Sequence, residues 1–166
     1  MERNKNIYSW LMTATGVVAV GAALLIVLLA DGSTGSRLAL ALIPLAVTAL
    51  FSLLMNAVGR MGADRRRIVS KKMPPRPADP TGLRWVVAGA WSLMFALMWV
   101  AIVLAVCTGM STWLGVVLTL IPVFGMGAVD IAVTARLLRA EGRPVTGTIV
   151  LYTLADLLDI AIDIFV

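Results

Sequence analysis

Five residues near the C-terminus have the spacing that chemistry would need. Thr148, Tyr152, Asp156, Asp159 and Asp163 follow one another at intervals of four, four, three and four. In a helix that spacing puts them on one face. The opposite face reads Ile149, Leu151, Leu154, Leu158, Ile162 and Phe165. Carboxylates held together raise one another's pKa, which suits proton exchange. Carboxylates at membrane depth are costly and mark ion or proton paths. Asp130, upstream in an apolar run, is the fourth candidate, so the ion-path set is Asp130, Asp156, Asp159 and Asp163. The competing reading leaves the stripe at the membrane surface, its carboxylates in water or paired with basic residues.

Other chemistries lack their parts. The chain has no histidine and a single cysteine, Cys107. That excludes an internal disulfide and leaves the cysteine with no base near it. Gly125-Met126-Gly127-Ala128-Val129-Asp130 misses the Gly-x-Gly-Asp pattern of intramembrane aspartyl proteases, and no partner Tyr-Asp motif exists. Nothing calls for a metal or a cofactor, and the reading is non-enzymatic. Trp91, Phe95 and Trp99 repeat at i, i+4, i+8. Such a wall can hold an organic cation, or it can simply pack.

The surrounding elements explain why a carboxylate stripe matters. Of 166 residues 60% are hydrophobic and 14% charged, against about a quarter charged in a soluble domain; mean hydropathy is +0.96. Four apolar stretches approach the ~20 residues that cross a bilayer: approximately 7–30, 38–58, 85–106 and 112–135. The expected fold is all-α, a polytopic membrane bundle of two hairpins over 1–143. A C-terminal amphipathic helix over 145–166 follows, lying at the interface or crossing as a fifth span. Three Asp near a helix centre cost ~2.5 to 3.5 kcal/mol each on an insertion scale, and each Leu or Ile returns only ~0.3 to 0.6. The tail is therefore expected along the cytoplasmic interface, its apolar face in the acyl boundary and its Asp face toward the basic loop.

Of the 14 Lys and Arg residues, 13 lie at the N-terminus, between residues 60 and 84, or after residue 135; the exception is Arg37. Basic residues stay on the cytoplasmic side, which places the N-terminus and the long loop in the cytoplasm of a cell or inner-membrane protein. Tyr8, Trp10 and Trp85 then fall at the inner interface and Trp113 at the outer one. Arg65, Arg66, Arg67, Lys71 and Lys72 form a patch for anionic headgroups or a partner; its membrane setting speaks against nucleic acid. Pro74 to Pro80 is expected to be extended. Pro44 and Pro122 would kink the second and fourth helices, and Asn56 and Asp130 could bond across the bundle as packing residues do. Leu42-Ile43-Pro44 and Leu120-Ile121-Pro122 hint at an internal repeat of the kind found in transporters.

Asp31-Gly32 to Arg37, then Ile43-Pro44-Leu45 and the apolar run into Asp64-Arg65-Arg66, resembles the second-helix region of SdpI-like integral membrane proteins. The resemblance covers about 30 residues of this stretch and implies immunity to a toxin or signalling at the membrane. It carries over no functional residue. The composite expectation is a protein that acts by binding another membrane component, a membrane-protein partner or a second copy. The alternative is a small proton- or cation-linked transporter.

Overall fold

The computed structural model describes the backbone of residues 2–61 and 77–151, and the side chains of 2–57 and 77–151. It is all-α. Four long helices, α1 (Glu2–Leu29), α2 (Thr34–Met61), α3 (Leu83–Cys107) and α4 (Thr112–Ala140), are followed by α5, helical over the described residues 145–151. Each of the four is long and apolar enough to cross a membrane. All extend beyond the apolar runs in the sequence. α1 begins five residues earlier and α4 ends five residues later, so Arg136 and Arg139 stand on the helix rather than in a connecting segment. The hydrogen-bonded ladder does not stop where hydrocarbon stops, and Ala, Leu and Arg are good helix formers.

Local chemistry sets the ends. Ser33 and Ser111 are equivalent starts: the Ser33 hydroxyl accepts from the Ser36 N–H at 3.3 Å and the Ser111 hydroxyl from the Leu114 N–H at 3.4 Å. Both satisfy donors that a helix start leaves open. α4 ends at Gly142, whose φ of 67° lets the Arg143 N–H return to the Leu138 carbonyl. This is a Schellman stop, and Pro144 prevents continuation.

α3 is the hub. It touches α1, α2 and α4, whereas among the described residues α4 touches α3 alone of the long helices. α1 and α3 run parallel in register: Tyr8 meets Trp85 edge-on with ring centroids 5.1 Å apart, Leu11 meets Gly89, and Ile26 shares a cluster with Val103. Their seam is made of small residues at four-residue spacing, Thr15, Ala19 and Ala23 on α1 and Ala88, Ser92 and Ala96 on α3, all buried. Small residues let membrane helices approach closely, where van der Waals packing replaces a hydrophobic driving force. A Cβ on Gly89 would lie 2.9 Å from the Leu11 Cβ.

The proline motifs fall in equivalent places. Pro44 and Pro122 each lie ten residues into their helix and both are buried. The hairpins nevertheless pack differently: α2 lies against both α1 and α3, and α4 stays off α1.

Gly89→Val is expected to destabilise the bundle by about 1 to 3 kcal/mol through overpacking. Gly16→Ala, where an added Cβ meets nothing, should be neutral or stabilising by up to about 1 kcal/mol. Reversible unfolding in mixed micelles compares the two; equal effects would refute the seam.

Candidate functional site

The carboxylates that the sequence singles out are not gathered in the described residues. Asp130 is exposed on α4, about two-thirds of the way along it. Asn56 is half-buried on α2, and because α2 and α4 are not in contact the Asn56–Asp130 bridge expected across the bundle is not formed. Asp156, Asp159 and Asp163 lie outside the described residues, as do Tyr152 and the Arg65, Arg66, Arg67, Lys71 and Lys72 patch. Only the first residue of the polar stripe is described: Thr148 is buried, while Leu151 on the opposite face is exposed. Among the described residues no group of His, Cys, Asp or Glu has the arrangement to hold a metal ion.

The aromatic stripe divides. Phe95 stacks on Phe51 of α2, centroids 4.1 Å apart and planes 14° from parallel. Trp91 and Trp99 are half-buried on the same helix. One turn away on each helix stand Thr48 and Trp99, and Ser92 lies a turn beyond Phe95 in the other direction. The Thr48 and Ser92 hydroxyls and the Trp99 indole N–H are buried with no hydrogen-bond partner. Thr13, Thr15, Thr108 and Thr119 instead donate to the carbonyl four residues back, the usual solution in a helix without water. A buried orphan donor costs about 1 to 3 kcal/mol. Nothing in the sequence marks Ser92 as a seam residue or its hydroxyl as unmet.

The polar network lies at the end of the bundle that carries the N-terminus, built on two carboxylates the sequence reading passed over. Asp79 precedes α3. Its Oδ1 accepts from the Leu83 N–H at 2.9 Å and the Thr81 hydroxyl at 3.1 Å, and its Oδ2 from the Arg84 N–H at 2.7 Å. The residue at the helix boundary is Gly82, with φ 70° and no side chain to cap, so Asp79 does that work from three positions upstream. Burial would raise its carboxyl, but the Arg84 and Leu83 N–H groups, the Thr81 hydroxyl and the Arg84 charge outweigh burial and hold it below its ordinary 3.8.

Glu141, just past α4, accepts from the Ala78 N–H at 2.7 Å through Oε1 and pairs with Arg143 at 3.2 Å through Oε2. The Ala78 N–H first, then Arg143, hold it below 4.5. The Arg84 guanidinium donates to the Pro77 carbonyl and the Asn4 amide to the Thr81 carbonyl. Residues 77–82 are thereby fastened to α1, α3 and the end of α4. An Asp three residues before an apolar helix that starts with Gly-Leu is a signal that could have identified this cap.

Two hollows flank α4. One, about 410 Å³, is an apolar groove between α3 and α4 at the far end, lined by Ile102, Ala105, Val116, Thr119 and Leu120, among others. The second, about 230 Å³, lies between residues 78–83 and the last turns of α4.

No protein-family model, curated protein or solved structure matches the chain. The SdpI-like resemblance within residues 31–66 rests on its sequence motifs alone.

Asp79 and Glu141 both have depressed pKa values, so their contribution is present above the ordinary carboxylate range and is lost as pH falls through the lower folded values. Bundle stability is expected to fall below about pH 4. Asp79→Ala should cost about 0.5 to 2 kcal/mol at neutral pH through the lost cap and flatten that acid limb. Ser92→Ala should leave stability unchanged or raise it by about 1 kcal/mol, because an orphan hydroxyl is removed from a site where a methyl fits. Unfolding curves at several pH values check all three.

Proposed function

We propose that this chain is a non-enzymatic membrane protein that acts by binding another membrane protein laterally through α4. Its N-terminus and the 60–84 loop lie in the cytoplasm. One observation carries the reading: α4 uses one face, Gly115, Pro122 and Met126, against α3, and presents the other with no partner among the described residues. That other face runs from Trp113 through Val117, Ile121 and Phe124 to Ile131, with Trp113 82% and Phe124 72% exposed. Lipid satisfies apolar side chains as well as protein does, so exposure alone does not require a partner. The contrast with α2 supports one. Among the described long helices, the same Ser start and the same proline register give α2 two neighbours and α4 one.

The orientation rests on charge. The basic residues at the N-terminal end, Arg3, Lys5, Arg136, Arg139 and Arg143 among them, are at the end where the positive-inside tendency keeps them. The transport reading gains no described geometry, since three of its four carboxylates lie outside the described residues.

A photo-crosslinking residue at position 117 or 124 is expected to capture a discrete membrane protein in native membranes. The same residue at position 53, on the exposed side of α2, should not. Equal yields at 53 and 124, or lipid adducts only, would remove the case for α4 as the docking helix. Impermeant thiol labelling of single cysteines at positions 4 and 110 in a Cys107→Ser background tests the orientation, with label from outside expected only at 110.

A further inference from the structure

We propose that the hollow at the end of α4 is a site for one anionic phospholipid of the cytoplasmic leaflet, with Arg136 holding the phosphate. Its lining is mostly apolar, Ala78, Pro80, Leu83, Leu137 and Ala140, with Thr81 beside them, whose hydroxyl is taken by Asp79, and its volume is about 230 Å³. Two charged side chains reach it, Arg136 and Glu141. Glu141 is already engaged at both oxygens, by the Ala78 N–H and by Arg143. Its charge is balanced by Arg143, and among the described residues no ion pair joins it to Arg136. Arg136 is exposed and has no hydrogen-bond or ion-pair partner among the described residues. Among the described residues, the hollow is thus lined by an arginine with no partner and by mostly apolar side chains.

That pairing selects an amphiphile. A guanidinium binds phosphate through a planar fork of donors, and the mostly apolar lining suits the first carbons of an acyl chain rather than water. Its level fits as well. α4 runs 29 residues, or ~43 Å, against a hydrocarbon core of ~30 Å. Arg136 lies four residues from its end, where headgroups lie. Basic pockets between membrane helices on the cytoplasmic side bind such headgroups. The site is independent of the α4 face that docks a protein, and it differs from the Arg65–Arg67 patch.

The test is native mass spectrometry of the full chain, released from nanodiscs of equal phosphatidylglycerol and phosphatidylethanolamine. One phosphatidylglycerol is expected to stay bound to the unaltered chain. Arg136→Gln should weaken retention about tenfold, the size of a lost charge-assisted contact. Arg139→Gln, the same charge lost from the same helix but outside the hollow, should leave retention unchanged. Ala140→Leu, which fills the hollow and keeps every charge, should also lower it, and it decides the question if Arg136→Gln fails to fold. Equal loss with Arg136→Gln and Arg139→Gln would mean general surface attraction and overturn the site. So would retention unaffected by Ala140→Leu, or equal retention of phosphatidylethanolamine. Displacement of the lipid by inorganic phosphate alone would make this a free-phosphate site and overturn the lipid assignment.

Discussion

The close approach of α1 to α3 is the constraint from which the rest of the bundle follows. In a bilayer there is no water to drive apolar side chains together, so helices associate by packing and by the few polar bonds they share. Thr15, Ala19 and Ala23 facing Ala88, Gly89, Ser92 and Ala96 allow that packing at short range. The contact joins the first helices of both hairpins, in parallel and in register. It therefore holds the hairpins together without any contact between α2 and α4. It also explains why a polar side chain such as Ser92 is accepted at the seam: its small volume is what the contact needs, even with its hydroxyl unmet.

Once α1 and α3 are paired, the two remaining helices have unequal places. α2 settles against both and brings Phe51 onto Phe95. α4 reaches α3 through Gly115, where a Cβ would come within 2.9 Å of the Ala105 Cβ, and stops there. Equivalent Ser starts and equivalent prolines thus lead to a central helix in one case and a peripheral one in the other. Helix-scale signals repeat in the chain; the neighbourhood of each helix does not.

Charge at the N-terminal end of the bundle serves structure before it serves any reaction. Asp79 caps α3, and Glu141 fastens the end of α4 to the backbone before α3. Both carboxylates are held ionised by hydrogen bonds from backbone N–H groups and by arginines. Among the described residues, Arg136 beside the hollow there has no such partner.

Spacing and composition alone determine the four apolar helices, their all-α class and the position of each connection, because a segment of bilayer length with almost no charge has one low-energy state in lipid. The basic residues argue an orientation for a separate reason, the tendency of Lys and Arg to stay on the cytoplasmic side. The ends were less legible: α4 runs on to Ala140 because helix propensity, not hydrophobicity, sets where the ladder stops, and the Asp79 cap was hidden in what read as a proline-rich linker. Only the tertiary structure decided which helices touch. Periodicity marks an apolar face but does not say whether lipid or another helix covers it, since both are equally apolar. Asn56 and Asp130, matched by type and by depth, therefore stand on helices that never meet, and Gly89, one glycine among 14 in the sequence, is a point where two helices close.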